Sequence, residues 1–255
     1  MSFENKIVVI TGGAKGIGAA CVKEFHEEKA RIVILDIDDK QGEIFAKELG
    51  DRSLFIKTDV SIEEDVKNAI DKVITKFGEI DVLVNNAAIQ YFSTVTESTV
   101  EQWDKTMAVN IRGGFICAKY TIPSMLRKGK GVIINISSVQ AFVSQNQVAS
   151  YVTSKTAQIG LTRSIAIDYG PAIRCVAVCP GTVDTPLLRD LISQSSDPEK
   201  MLKECEEMHL VKRIASPKEI ATFICYLASD KAAFFTGEAY RIDGGLGIKI
   251  PGSKQ

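Results

Sequence analysis

The sequence has six cysteines in 255 residues but no CxxC pair. Cys21, Cys117, Cys175, Cys179, Cys205 and Cys225 are scattered along the chain. That spacing excludes the usual zinc motifs, and a chain of this length does not need a disulfide framework. The cysteines read as reduced, mostly buried thiols, and the expected location is cytoplasmic. Histidine is scarce: His26 and His209 have no partner at a metal or triad spacing, so no metal site is expected. His26 lies on a charged helical run and is expected in solvent, while His209 falls in the segment 186–212. No charge of one sign dominates, since 31 Lys and Arg face 32 Asp and Glu for a net charge of −1. A nucleic-acid partner is therefore not expected. No run of about 18 apolar residues occurs, so no membrane-spanning helix is expected. The opening "MSFENKIVVITGG" lacks the charged start and long apolar stretch of a signal peptide. Repeats, low-complexity tracts and linker-like runs are missing too.

What the chain does have is 45% hydrophobic residues, ample for a sizeable core. Short β-branched runs alternate with helical periodicity. Strands are expected at "KIVVIT" (6–11), "RIVILDI" (31–37), "SLFIKTDV" (53–60) and "DVLVNNA" (81–87). Three more read as "GVIINISS" (131–138), "IRCVAVCPG" (173–181) and "EAYRIDGG" (238–245). Helices are expected over 16–30, 39–49, 61–78, about 100–127, about 150–169 and 216–230. Ser61 and Glu64 have capping-box spacing at one helix start, and Gly78 closes that helix. Ser216, Pro217 and Glu219 mark another start. The strands are continuous apolar runs, as in a parallel sheet covered on both faces. Seven βα units without a composition break predict one domain over 1–255. Its expected class is α/β, a Rossmann-type doubly wound parallel sheet of about seven strands with helices on both faces. Ligands of such a sheet bind at the carboxyl ends of the strands.

After the first strand comes "TGGAKGIG" (11–18), with Gly12, Gly16 and Gly18 spaced G-x-x-x-G-x-G. Glycines allow a tight strand-to-helix turn and close backbone approach to a pyrophosphate, which the helix N-terminus then receives. Alone, the pattern also suits a glycine-rich turn with no ligand. Asp36 ends the second strand, 20 residues beyond Gly16. An acid there accepts hydrogen bonds from an adenosine ribose and repels a 2′-phosphate; the bland reading is a strand-end turn residue. Lys15, inside the loop, pulls towards NADP. NAD is expected over NADP. Further on, Tyr151 and Lys155 in "SYVTSK" (150–155) stand one helical turn apart on one face. That spacing alone is equally compatible with ordinary helix decoration.

In chain order, these motifs resemble the short-chain dehydrogenase/reductase family over nearly the whole length. "TGGAKGIG" looks like its cofactor loop, and "DV" at 59–60 like its adenine-contacting pair. "NNAA" at 85–88 stands where the family usually has NNAG, with Ala88 adding a methyl beside the expected cofactor path. Asn110 in "NIRG", Ser138 in "NISS", Tyr151, Lys155 and "PG" at 180–181 follow in family order. The interval from Ser138 to Tyr151 picks the second serine of the pair over Ser137. The resemblance implies a cofactor site of Gly12, Lys15, Gly16, Ile17, Gly18, Asp36, Ile37, Asp59, Val60, Asn86, Ala87, Tyr151, Lys155, Pro180, Gly181, Val183 and Thr185. It implies a catalytic set of Ser138, Tyr151, Lys155 and Asn110. It also implies that Lys155 holds the nicotinamide ribose hydroxyls and that the backbone of Asn110 helps hold a water near the lysine. The loop after Gly181 is implied to meet the carboxamide, although Thr185 next to Pro186 also reads as a helix cap. A homotetramer follows by the same resemblance, with helices near 100–127 and 150–169 at one interface.

The chemistry fits these residue types. Moving hydride between an alcohol carbon and nicotinamide also moves a proton at the oxygen. A free tyrosine has a pKa of about 10, too high for an efficient base near neutrality. An ammonium one turn away favours phenolate. Tyr151 is thus expected as general base in oxidation, Lys155 as its tuner, and Ser138 as a hydrogen-bond partner of the substrate oxygen.

The substrate is less sharply marked. Residues 186–212 read as a mobile lid. Gln140, Gln145, Asn146 and Gln147 lie between Ser138 and Tyr151. Amides near the reacting oxygen suit a polyhydroxylated ligand, unless they face solvent. Expected substrate contacts are Ser138, Gln140, Gln145 and Tyr151. "SVQA" (138–141), "DYGPAIRCVAVCPGTVDTPL" (168–187) and "DGGLGIKIPGSKQ" at the end resemble sugar 1-dehydrogenases of the family. The leading expectation is oxidation of an aldose at its anomeric carbon to a lactone. Alternatives are reduction of a 3-oxoacyl thioester and, without catalysis, dinucleotide sensing. A sensor would be free to lose Tyr151 or Lys155, and both are present. The tail, 246–255, either folds over a neighbouring active site or frays.

Overall fold

The computed structural model describes residues 2–248. The expected tail beyond residue 248 lies outside them. Seven parallel strands form one sheet: β1 (Ile7–Thr11), β2 (Arg31–Asp36), β3 (Ser53–Lys57), β4 (Val82–Asn85), β5 (Gly131–Ile136), β6 (Ile173–Pro180) and β7 (Ala239–Ile242). Their spatial order is β3-β2-β1-β4-β5-β6-β7. The order reverses between β1 and β4, which opens a crevice at the carboxyl ends of those two strands. Nine α-helices accompany them among the described residues: α1 (Gly16–Glu27), α2 (Asp39–Leu49), α3 (Glu63–Phe77), α4 (Val100–Met107), α5 (Gly113–Lys128), α6 (Ala149–Tyr169), α7 (Pro186–Ser193), α8 (Pro198–Glu207) and α9 (Pro217–Ala228).

Strand alternation splits the core in two. Val8 and Ile10 pack with Val22, Phe25 and Ile224 from α1 and α9. Ile7 and Val9 pack with Val66, Ile70, Cys117 and Met125 from α3 and α5. Side chains of neighbouring strand residues point to opposite faces, so a strand apolar at every position needs both layers. All six cysteines are buried and unpaired. Among the described residues no helix is long and apolar enough to cross a membrane, and no cluster of three or more His, Cys, Asp or Glu could hold a metal.

The differences from expectation cluster at strand ends and helix starts. The strands expected at 53–60, 81–87 and 131–138 stop at Lys57, Asn85 and Ile136. The residues beyond leave the sheet, and those are the ones with polar work to do. The capping box at Ser61 and Glu64 does not form. α3 starts at Glu63 with Ile62 as its uncapping neighbour. Ser61 instead turns back on Asp59, its N–H and hydroxyl both donating to Asp59 Oδ1 at 2.9 and 2.7 Å. Local bonding of this kind competes with a helix cap. The Ser216–Glu219 box does form. The single helix expected over 100–127 is interrupted by a π turn at Ala108–Arg112. Residues 186–212 are built mainly of two capped helices, α7 and α8. His26 is only partly exposed: its Nε2 is buried without a partner among the described residues, and burial lowers its pKa.

Candidate active site

The crevice begins at the glycine loop. Gly12 and Gly16 have φ of +62° and +56°, conformations glycine adopts without strain. Gly18 has no room for a side chain, because a Cβ would lie 2.0 Å from the Gly12 carbonyl oxygen. α1 therefore starts directly against the loop. Its N-cap, Lys15, makes no side-chain cap, which leaves the first N–H groups of the helix available to a ligand. Just after β4, the Asn86 carboxamide donates to the Thr11 and Gly12 carbonyls, each at 3.0 Å. Thr11 Oγ1 accepts from the N–H groups of Asn86 and Ala87. The Asn86 side chain thus braces the glycine loop.

Asp36 is placed at the end of β2 against the same loop. Its Oδ2 accepts from Ala14 N–H at 2.9 Å and its Oδ1 from Asp38 N–H at 3.0 Å. Each oxygen keeps acceptor capacity for a ribose hydroxyl. Ile37 beside it is an exposed large apolar side chain, suited to an adenine face. Lys15 is held by Asp38, Nζ to Oδ2 2.6 Å, and that contact raises the Lys15 pKa and lowers that of Asp38. The base that would favour a 2′-phosphate is therefore already partnered. Val60 is buried beneath Gly113, whose Cβ would meet the Val60 side chain at 2.9 Å. Asp59 closes the turn with Ser61 described above.

On the other side of the crevice, α6 carries Tyr151 and Lys155. Lys155 is 2% exposed. Its Nζ donates to the Ile136 carbonyl at 2.7 Å and lies 5.5 Å from the Tyr151 ring centroid. Ser137 Oγ donates to the Lys155 carbonyl at 2.7 Å, so the first serine of the pair anchors the helix. Ser138 Oγ accepts from Gln140 N–H at 3.1 Å and caps the turn that follows. It serves as a loop cap, and its hydroxyl beside Tyr151 acts to lower the Tyr151 pKa. Burial outweighs that effect and pushes Tyr151 up to about 12. Burial also pushes Lys155 down to about 8. In the protein alone, then, desolvation rather than the ammonium dominates the phenol, contrary to the expectation from spacing.

Asn110 is buried on the π turn. Its carboxamide exchanges two bonds with Ile89, at 2.8 and 2.9 Å, and donates to Ser154 Oγ at 3.0 Å. Its side chain thus ties the π turn to α6 and to the loop after β4. Gln140 is partly buried, with no partner for Oε1 among the described residues, whereas Gln145, Asn146 and Gln147 are exposed. Of the expected amides, Gln140 has the site-like environment.

The loop after β6 closes the crevice. Pro180 ends the strand, and Gly181 has no space for a Cβ, which would lie 2.8 Å from His209 Nε2. Val183 is buried. Thr185 caps α7, and its methyl is 3.4 Å from where a Gly16 Cβ would be, so the cap also covers the glycine loop. His209 is the residue that spacing did not reveal. It is 2% exposed. Nε2 accepts from Thr182 N–H at 3.1 Å, and Nδ1 lies 2.8 Å from the Cys205 carbonyl, to which it donates. Those two bonds fix a neutral Nδ1–H tautomer. They tie α8 to the loop after β6, a link between distant segments that only the fold creates.

The glycine loop, the start of α1, Asp36 at the end of β2 and the side chains of Ser138, Tyr151, Lys155 and Asn110 all gather at the carboxyl ends of the strands, the place where such a sheet binds its ligands. Residues 12–247 match the family model described as enoyl-(acyl carrier protein) reductase. An uncharacterized oxidoreductase of Thermotoga maritima is 39% identical over 249 residues, covering 96% of this chain and 98% of that one. The ligand-free aldohexose dehydrogenase of Thermoplasma acidophilum is 39% identical with a TM-score of 0.92, covering 99% of this chain and 98% of the other. The 3-ketoacyl-(acyl-carrier-protein) reductase of Brucella melitensis, complexed with NADH, is 32% identical with a TM-score of 0.90, covering 96% and 100%. The chain belongs to the short-chain dehydrogenase/reductase family. Members of that family are oxidoreductases that use a nicotinamide cofactor.

Proposed function

We propose that this protein is an NAD-dependent sugar or polyol dehydrogenase that oxidises an aldose at its anomeric carbon to a lactone. The observation that carries the substrate class is the full-length likeness to an aldohexose dehydrogenase. The Gln140 carboxamide oxygen, two residues from Ser138 and without a partner among the described residues, supports it by offering an acceptor for a sugar hydroxyl. Asp36 and the Asp38-bound Lys15 support NAD over NADP.

In this reading Gly12, Gly16, Gly18 and the start of α1 hold the pyrophosphate, and Asp36 the adenosine ribose. Ile37, Asp59 and Val60 line the adenine end. The loop Pro180–Thr185 borders the nicotinamide, with α7 and α8 as the lid above it. Bound there, the oxidised nicotinamide supplies the hydride acceptor. Tyr151 takes the proton from the substrate hydroxyl at its Oη. Ser138, whose Oγ already accepts from Gln140 N–H, donates its own proton in a hydrogen bond to the substrate oxygen. Lys155 holds the ribose hydroxyls and pulls the phenol towards phenolate, and the Asn110 carbonyl holds a water behind it. A homotetramer is part of the proposal, supported by exposed Val100, Trp103 and Phe115 along α4–α5 and Ile167 on α6. Light scattering at four times the monomer mass is the expected result.

The second reading, a 3-oxoacyl thioester reductase, is favoured by the family model's description and by the Brucella melitensis structure. An acidic carrier would need free basic residues near the lid. Arg189, Lys212 and Arg213 are engaged with Asp184, Glu207 and Glu219; Lys200 and Lys203 on α8 are exposed, but Asp190, Asp197, Glu199, Glu204, Glu206 and Glu207 offset the basic charge of this segment, which weighs against it. A panel of aldoses and polyols with NAD, followed by NADH absorbance, separates the two. Aldose-dependent NADH is expected. Inert sugars together with reduction of acetoacetyl thioesters by NADH would reverse the ranking.

A further inference from the structure

α6 buries a polar face. Tyr151, Ser154, Lys155, Gln158 and Thr162 lie at positions i, i+3, i+4, i+7 and i+11, one face of the helix, and the last four are buried. Gln158 has no part in the reading above. It is 2% exposed. Its Nε2 donates to the Asn110 carbonyl at 2.7 Å. Its own carbonyl is fixed by Thr162 Oγ1 at 2.8 Å, and Thr162 Oγ1 in turn accepts from Asn135 Nδ2 at 2.9 Å. Its Oε1 is buried and has no partner among the described residues. Turning the amide over would not resolve this, since it would set Oε1 against the Asn110 carbonyl, oxygen to oxygen.

Two observations meet here. The π turn Ala108–Arg112 widens the helix at Asn110, and such turns open carbonyls to outside partners. The side chain that reaches this carbonyl then leaves a buried acceptor unused, and buried acceptors of this kind recruit ordered water.

We propose that Gln158 is a positioning residue of the proton relay. Its N–H groups fix the Asn110 carbonyl, and its Oε1 accepts a hydrogen bond from the buried water behind Lys155. This rests on the relay reading of Tyr151, Lys155 and Asn110. Gln158 carries no proton itself. The proton that Tyr151 takes from the alcohol leaves past Lys155 through the water, and Gln158 sets where that water sits. A carbonyl alone is a weak anchor for a water that must also turn towards an ammonium; a second acceptor restricts it.

The test has two arms. A crystal structure of the wild-type protein with NAD, at a resolution that shows waters, is expected to place one within about 3 Å of Gln158 Oε1. A dry Oε1 overturns the proposal. The second arm is Gln158→Met, which keeps the volume and removes both amide functions. With D-glucose or D-mannose as the probe, kcat is expected to fall about tenfold or more. KM for NAD should stay within about twofold, and the solvent deuterium isotope effect on kcat should rise as proton movement becomes limiting. Unchanged kcat and isotope effect would refute the role. Tyr151→Phe, run alongside, separates the two levels. If it keeps turnover, the relay reading itself fails; if it is inactive and Gln158→Met is normal, only Gln158 is misassigned.

Discussion

Lys155→Met tests the electrostatic heart of the site. Burial pushes Tyr151 up to about 12, so at pH 8 removing its proton costs about 5 kcal/mol. The Lys155 ammonium lies 5.5 Å from the ring centroid. At an effective dielectric of about 20, unit charges at that separation interact by about 3 kcal/mol, equivalent to about two pKa units. The positive ring of oxidised nicotinamide would act in the same direction. Burial also lowers Lys155 to about 8, so its pull fades above that pH unless acceptors on a bound ribose hold the proton. The assay therefore uses saturating NAD. Methionine matches the buried slot without the charge. The rising limb of kcat against pH should move up by about two units, and kcat at pH 8 should fall about 100-fold. A rising limb within half a unit of wild type, with the loss confined to KM for NAD, would show that the ammonium binds cofactor and does not tune the phenol.

Tyr151→Phe should reduce turnover by at least about 100-fold and leave NAD affinity within about twofold by fluorescence titration; wild-type turnover would remove Tyr151 from the chemistry. Asp36→Ala loses the bond to Ala14 N–H and should weaken both cofactors, but the NADP/NAD ratio of kcat/KM should rise about tenfold, a change of about 1.4 kcal/mol; a flat ratio would contradict the ribose role. His209→Leu should raise KM for NAD by freeing Thr182 N–H, whereas His209→Gln, with an acceptor at the Nε2 position, should recover most of it; equal behaviour of the two would limit His209 to packing. Stability of the cofactor-free protein should follow Lys155. Its folded pKa of about 8 lies below its ordinary 10.5, so between those values the unfolded chain binds more protons. The associated stabilisation of about 3 kcal/mol is present above pH 10.5 and is lost as pH falls through 8. Tyr151, raised from 10 to about 12, contributes with the opposite sign, fully below pH 10 and not above 12. Urea unfolding from pH 8 to 10 should therefore show wild type gaining on Lys155→Met, and parallel curves would count against a buried, charge-poor lysine.

Continuous apolar strands made the sheet legible, because a strand covered on both faces has only one way to be written. The glycine turn after β1 was legible for a similar reason, since Gly12 and Gly18 occupy places where a Cβ would collide with backbone. Strand ends were less clear. Asn85, Ser137 and Ser138 follow apolar runs without a break, and only the pairing in space shows where the sheet lets go. Ser61 had the right spacing for a cap, yet Asp59 two residues earlier offered a shorter bond. Spacing rules see one partner at a time, whereas the chain chooses among several.

The residues that reading missed, His209 and Gln158, act through bonds to backbone in other segments. His209 joins α8 to Thr182 across 27 positions, and Gln158 reaches Asn110 across 48. No periodicity encodes such a pair. Gln158 did leave a trace, because a glutamine three after Lys155 and seven after Tyr151 lies on the face that an ordinary helix would fill with apolar side chains. A buried amide there is costly unless both of its ends are used. The structure accounts for the Nε2 end at Asn110 and leaves Oε1 turned into the protein. The same polar face that begins with Tyr151 thus continues one further turn inward, and the catalytic reading of Tyr151 and Lys155 extends with it to the residue that holds Asn110 in place.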